Sequence, residues 1–286
     1  MLTIDPKNIP LPKLHAYLQG VVAPRPIALA STVDREGNVN LSPFSFFNLF
    51  SSNPPILVFS PSRRGRDNTT KHTYENILEV PEVVINIVNY NIVQQVSLSS
   101  TEYPKGVNEF VKSGLTQESS AIVKPPRVKE SPAAFECKVN DVIQLGSEGG
   151  AGNLVICEVL LAHFSDSILD AEGRVDVEKV DLVGRMGYDY YCRAHGSALF
   201  TVPKPNAKIG IGYDQIPEKI RNSKILTGND LGQLGNIEKL PADLEQLKGR
   251  PEVQEALLRG EEQIHRLAQA YLQQGHLEDA WRLLLL

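Results

Sequence analysis

The sequence predicts a mainly β fold, an antiparallel barrel of six strands with peripheral helices and a C-terminal α-helical extension. Three observations carry this. Up to about residue 165 there are six segments with the apolar, β-branched make-up of strands. Their links are hairpin-like, and the regular alternation of strand and helix that a doubly wound parallel sheet needs is missing. From Pro251 the composition shifts to Glu, Gln, Leu and Ala at helical spacings.

The 286 residues suffice for one large domain or one plus an appendage. With 42% hydrophobic and 22% charged residues the composition is that of a soluble globular protein. The net charge of -5 argues against general nucleic-acid binding but leaves room for a local basic pocket. Cys137, Cys157 and Cys192 are odd in number and widely spaced, with no CxxC pair, so neither a disulfide framework nor a zinc site is indicated. A reducing cytoplasm is the expected compartment. The N-terminal residues lack the layout of a signal peptide, and no stretch approaches the ~18 apolar residues of a membrane span, so no membrane partner is expected.

In order, Leu14 to Gly20 is a short helix candidate, and Ile27 to Val33 a strand closed by the turn residues Asp34 to Asn38. The chain returns through Val39 to Leu41. Ile56 to Ser60, bounded by prolines, reads as a buried strand. Asn68, Thr69 and Thr70 offer an N-cap for a helix over Lys71 to Glu79 that Pro81 stops. Val83 to Val88 is a strand, followed by helices over 91 to 98 and 106 to 112. Phe135 to Leu145 and Asn153 to Phe164 flank a glycine-rich link and form a long antiparallel hairpin. The first domain closes at Pro203 to Pro205, giving domains 1–205 and 206–286. In the second, Ile216 to Lys224 is a helix candidate, a helical run extends from Pro251 through Leu272 to a stop at Gly275, and His276 to Leu286 forms another helix. The last two resemble one tetratricopeptide-like hairpin, which cannot bury both its faces alone. It is expected to pack on the main domain or on a second subunit, with a peptide receptor as the other reading.

The stretch from Asn40 to Asn76 concentrates the chemistry. Ser42, Pro43, Phe44, Ser45, Phe46, Phe47 and Asn48 can offer apolar atoms to the face of a flat ring and hydroxyls to its edge; the plainer alternative is a loop whose phenylalanines fill a barrel end. Between Pro61 and His72, Arg63, Arg64, Arg66 and Lys71 face only Asp67, ahead of a helix start where unpaired N–H groups favour an anion. This is either a phosphate trap or a solvated charged loop. Platform and trap together suit a flat, phosphorylated ligand.

The run from Ala23 to Asn48 (APRPIALASTVDREGNVNLSPFSFFN) resembles the opening of the flavin reductase-like, FMN-binding split-barrel family, which includes flavoredoxins and the reductase components of two-component monooxygenases. Three further pieces follow in the same order: Pro54 to Ser60, then Lys71 to Asn76 in place of the family's Lys-Asp-Thr-x-x-Asn, then Ser131-Pro132 with Phe135 to Cys137. The likeness spans roughly residues 15 to 205. It implies an antiparallel split barrel of Greek-key type that forms a homodimer with FMN near the interface. By the same resemblance Thr32 and Ser42 to Asn48 line the ring and ribityl chain, and Ser60, Arg66, Lys71 and Thr73 hold the phosphate. His72 stands where the family motif has Asp, so no role resting on that carboxylate is carried over, and a neutral His leaves the pocket more positive.

The activity implied is an NAD(P)H-dependent flavin reductase that passes electrons through FMN to an acceptor, a protein or an oxygenase component. No side chain need act as acid or nucleophile, and no dinucleotide fingerprint is present, so NAD(P)H would bind transiently. The alternatives are a non-enzymatic FMN electron carrier, flavoredoxin-like and reduced by a protein partner, and a flavin-free interaction protein that works through its helical hairpin. Single residues stay open: His163 as a group near the flavin or a structural histidine, Tyr188, Tyr190, Tyr191 and Arg193 as a ring cover, subunit contact or packing, Arg25 as an ion-pair or phosphate residue, and Glu136 with Glu158 as a carboxylate pair if strand alternation puts both on one face.

Overall fold

The computed structural model describes residues 1 to 205 and 209 to 286. They form two compact units, Met1–Phe200 and Thr201–Leu286. The expected start of the second domain at residue 206 lies outside the described residues.

The first unit begins with α1 (Leu11–Val21), followed by β1 (Ala28–Val33), β2 (Val39–Phe44), β3 (Phe47–Ser52), β4 (Pro55–Phe59), α2 (His72–Glu79) and β5 (Glu82–Ile87). Next come α3 (Val93–Ser99), α4 (Glu109–Ser113), the two-residue pair β6 (Gln117–Glu118) and β7 (Arg127–Val128), and the long strands β8 (Ala133–Gln144) and β9 (Asn153–Phe164). The short helix α5 (Val177–Val180) leads to a small hairpin, β10 (Val183–Arg185) and β11 (Tyr191–Arg193).

Seven strands, not six, make the main sheet, in the order β2-β1-β5-β8-β9-β4-β3, and every neighbouring pair is antiparallel. The additional strand is β3, whose first residues the sequence alone places in an irregular turn. Its register opposite β4, Phe47 to Phe59 and Asn48 to Val58, converts that turn into an edge strand. Strands β2 and β3 are joined by only Ser45 and Phe46, yet they stand at opposite ends of the sheet. A sheet whose two ends are two residues apart must curl until they meet, while no ladder among the described residues closes β2 on β3. The sheet is therefore curled and open along one seam.

Alternation explains why β1 is buried throughout. Ala28 and Ala30 face an inner core with Phe44, Phe59, Ile85, Cys137 and Val155, whereas Leu29 joins Leu41, Val96 and Phe110 beneath α3 and α4. The thiols of Cys137 and Cys157 lie in the inner core, and burial pushes Cys137 up to about 12, so both are packing residues.

The second unit is helical: α6 (Glu218–Arg221), α7 (Gly228–Leu234), α8 (Pro251–Arg259), α9 (Glu261–Gln273) and α10 (Leu277–Leu284). With these helices included, the chain is 31% helix and 24% strand, so it is mixed rather than mainly β. The single run expected from Pro251 is two helices, because Gly260 takes φ 93, a conformation that suits glycine and interrupts the helix. The hairpin of α9 and α10 buries its apolar face inside its own unit: Trp281, Leu283 and Leu272 pack with Ile216, Leu231, Leu234 and Leu247, and the Trp281 indole N–H donates to the Leu234 carbonyl at 3.0 Å. The residues between Ile216 and Leu247 thus supply the cover that one hairpin lacks.

Candidate functional site

The seam of the sheet opens into a cleft of about 530 Å³. One wall is the end of β2 and its link to β3, Ser42 to Phe46; another is the loop after β4 with Ser60, Ser62, Arg63, Arg64, Gly65, Arg66 and Lys71. His15 and Gln19 of α1, and Ser100 and Glu102 after α3, complete it. The platform and the cation loop are neighbours because β3 and β4 form a hairpin: Phe46 ends one side and Ser60 the other, and the Ser60 N–H donates to the Phe46 carbonyl at 2.9 Å.

The cation loop is shaped by its own hydrogen bonds. Arg63 Nε donates to Asn68 Oδ1 at 2.6 Å, and Arg64 Nη1 donates to Thr69 Oγ1 and to the Thr70 carbonyl. Asp67 accepts from the Thr69 N–H and hydroxyl, which hold its carboxyl at about 2. The side chains of Asn68 and Thr69 are taken up within the loop and the Thr70 hydroxyl donates to Glu75 at 2.6 Å, so none of the three caps α2; its N-cap is Lys71, without a side-chain cap bond. The glycine-rich link of the β8–β9 hairpin buttresses the loop from behind. Arg63 N–H donates to Ala151 O at 2.8 Å and Gly150 N–H to Arg63 O at 3.0 Å, while a Cβ on Gly149 would stand 3.1 Å from Arg64 O.

Of the sequence-predicted residues, Ser42, Pro43, Phe44, Ser45, Phe46, Ser60, Arg66 and Lys71 line this one cleft. Thr73 lines an adjoining recess with Asn40, His72 and Glu109. It is almost fully buried, and its hydroxyl donates to Asn40 Oδ1 at 2.6 Å. The Asn40 amide in turn donates to Glu109, whose carboxyl burial pushes up against the opposing bonds from the Leu41 N–H and Asn40. Thr32 is fully buried and accepts from Asn76 Nδ2, away from the cleft lining. Phe47 packs against the inner core and Asn48 is exposed on the edge strand. Burial lowers His72, with Arg64, Lys105 and Lys71 adding to it and Glu75 opposing, so the imidazole is neutral at pH 7.

Other residues resolve into structural roles. Arg25 meets neither a carboxylate nor the cation loop: Nη1 donates to the Gln19 and Val22 carbonyls and Nη2 to the Met186 carbonyl, all within 2.8 Å, and Nε reaches Ser45 Oγ at 3.4 Å. Burial, with Arg185 nearby, lowers this guanidinium from its ordinary value. It clamps the end of α1 and the β10–β11 turn beside the platform. Glu136 stands opposite Leu161 and Glu158 opposite Lys138, so the two carboxylates are not a pair. Glu136 accepts from the N–H groups of Ala121, Ile122 and Val123 and from His163 Nε2 at 2.7 Å. Arg193 forms a two-point bond with Asp181 and stacks on Tyr90 at 3.9 Å.

Residues 22 to 177 match the model of the flavin reductase like domain, more than half of the chain. The chain belongs to the flavin reductase-like family. A protein of Aquifex aeolicus, described only as uncharacterized, is 39% identical over 189 residues, covering 66% of this chain and 94% of its own. Among solved structures, nitrilotriacetate monooxygenase component B from Bacillus cereus superposes with a TM-score of 0.66 at 27% identity, over 71% of this chain and 98% of that one. A Shewanella frigidimarina protein whose structure is described as having a split barrel domain does so with a TM-score of 0.60 at 28% identity, over 71% and 100%. The open seam of the curled sheet agrees with that architecture.

The sequence reading missed Glu102, His15, Gln19, Ser100 and the glycine-rich buttress. Among the described residues no group of His, Cys, Asp and Glu could hold a metal ion, and no helix is long and apolar enough to cross a membrane.

Proposed function

We propose that this protein binds FMN in the seam cleft and works as an NAD(P)H-dependent flavin reductase. The observation that carries the reading is the meeting, in one cleft, of the Ser42–Phe46 platform with Arg63, Arg64, Arg66 and Lys71. The residues fit the group: half-exposed Phe46 and the proline and phenylalanine of β2 offer apolar surface, Ser42, Ser45 and Ser60 offer hydroxyls, and the cations suit a phosphate. When bound, FMN supplies hydride and electron chemistry that no side chain here provides. The protein's own part is to bind, orient and exclude water. Ser45 is kept in place by the Arg25 clamp, Ser60 by its bond to Phe46, and Arg64 by the Thr69 and Thr70 oxygens. With neutral His72 beside them, the cations are not offset by an acidic group at that position.

The site has the makings of a homodimer interface. Helix α1 buries none of its eleven residues in this chain, and Leu11, Leu18, Val21 and Val22 are exposed; so are Leu49 and Phe50 on the edge strand β3. Exposed apolar surface next to an unpaired strand edge calls for a cover, and a second copy supplies it. The electron acceptor is a protein or oxygenase component, in keeping with the monooxygenase component among the structural neighbours. The buried, free thiols suit a reducing cytoplasm.

The test is an absorption spectrum of the purified protein with FMN, before and after NADH or NADPH without oxygen. Bound flavin that bleaches on addition supports the reductase. Bound flavin that stays oxidised would instead favour the electron carrier reduced by a protein partner, and failure to take up FMN would remove the flavin reading altogether.

A further inference from the structure

The cation loop already holds an anion of its own. Glu102 Oε1 lies 3.0 Å from Arg64 Nε and 3.2 Å from Lys71 Nζ, and Oε2 lies 2.5 Å from Arg66 Nη2. One carboxylate thus draws together three of the four cations assigned to the phosphate, and it lines the same cleft. Burial pushes its carboxyl up, but the bonds and charges of Lys71 and Arg64 prevail and keep it below the ordinary carboxylate range, so it is a full anion at neutral pH.

How Glu102 is held distinguishes it from the other acidic groups nearby. Asp67 is tied to the backbone N–H and hydroxyl of Thr69 and also takes Arg66 Nε at 3.2 Å, and Glu109 is tied to the Leu41 N–H and the Asn40 amide. The hydrogen bonds and ion pairs described for Glu102 all go to the three cationic side chains. About one third of its side chain is open to solvent, and it sits on the irregular segment after α3, where the carboxylate can swing into water without stranding a buried donor.

Resting on the FMN reading, we propose that Glu102 is an internal competitor for the phosphate of the nucleotide. The incoming phosphate must take Arg64, Arg66 and Lys71 from this carboxylate, or share them against like-charge repulsion. Either way the carboxylate lowers affinity for the phosphorylated ligand and leaves a ligand without phosphate untouched. FMN is then an exchangeable occupant of the cleft, a group that enters and leaves, and Glu102 sets how strongly FMN is preferred over riboflavin.

Equilibrium titration and stopped-flow dissociation of FMN and riboflavin, on the full chain and on its E102Q and E102A variants, test this. Both variants should bind FMN about ten-fold more tightly and release it correspondingly more slowly, with riboflavin affinity unchanged within about two-fold. The FMN gain should shrink as salt is raised, because it is a charge effect at a partly exposed site. If wild type binds FMN and neither variant binds it more tightly, the inference is overturned while the flavin reading stands. Equal tightening of FMN and riboflavin overturns it as well, since the effect would then act on the ring. Absence of FMN binding in all three proteins overturns the flavin reading and this inference with it. Using Ala beside Gln separates charge from hydrogen bonding, and matching melting curves guard against a change of fold.

Discussion

Two carboxylates in the first unit show opposite ways of holding a charge. Glu136 on β8 is fully buried and accepts three backbone N–H groups and a histidine. Glu102, in the cleft, is partly open and gathers three flexible cations. A carboxylate gripped by backbone donors is part of the frame, because those donors cannot follow it elsewhere and lose a partner if it leaves. A carboxylate gripped by long side chains is exchangeable, because the same side chains can turn to another anion. The first kind of acid builds a structure, and the second marks a site.

The strongest way to break that contrast is at Glu136. E136A should cost about 3 kcal/mol of stability, from three N–H groups and His163 left without their acceptor, measured as a lower urea midpoint. Its acid dependence follows with a definite sign. Burial alone pushes the Glu136 carboxyl up, but the bonds from Ala121, Ile122, His163 and Val123 reverse this and hold it below the ordinary range. A depressed carboxyl contributes stability that is fully present above the unfolded value, about 4.3, and is lost as pH falls through the folded one. Wild type should therefore lose stability below about pH 4 more steeply than E136Q, which lacks this titration. Equal acid slopes for the two would place the charge of Glu136 outside the frame.

At the exchangeable end, R66A/K71A should lower FMN affinity by about 100-fold or more, because two charge-assisted bonds to phosphate are lost. Stability should barely change, since these cations are partly exposed and their ion pairs with Glu102 are screened. A fall in melting temperature on the scale of E136A, with FMN affinity intact, would reverse the assignment of the two regions.

The difference also explains what was legible in the sequence. The strands β1, β4, β8 and β9 announce themselves because their side chains face a core, and burial imposes a pattern on residue choice. The edge strand β3 does not: it is mostly exposed, and its Ser, Asn and Phe residues read as a turn. The cation loop was visible as a run of like charges, and the platform as a run of aromatics. Their counterpart was not, because Glu102 lies 31 residues beyond Lys71 and only the fold, with α3 packed on β2 and α4, brings the segment after α3 back to the loop. Four neighbouring cations with a single Asp call for a further anion, and that imbalance was the one available signal. Thr32 illustrates the reverse case, since a hydroxyl type alone does not tell a cleft-lining residue from one that joins α2 to the sheet, whereas Thr73 does both, bonding Asn40 and lining the adjoining recess.

The smallest expected effect concerns the glycine-rich link that holds the cation loop from behind. A Cβ on Gly149 would stand 3.1 Å from Arg64 O and 3.2 Å from Gly65 Cα, tighter than ordinary van der Waals contact and against backbone rather than a flexible side chain. The loop must then give by a few tenths of an ångström. Arg64 would carry that shift to its guanidinium, whose bonds to Thr69 and Thr70 set the direction in which it faces the cleft. G149A should therefore weaken FMN about three-fold while costing less than about 1 kcal/mol of stability. The neighbouring S147A, on the exposed side of the same link, serves as the control and should leave both unchanged. If G149A binds FMN as wild type does, the link is only a connection between β8 and β9, and the geometry of the cation loop is set entirely by Arg63, Arg64 and the residues they hold.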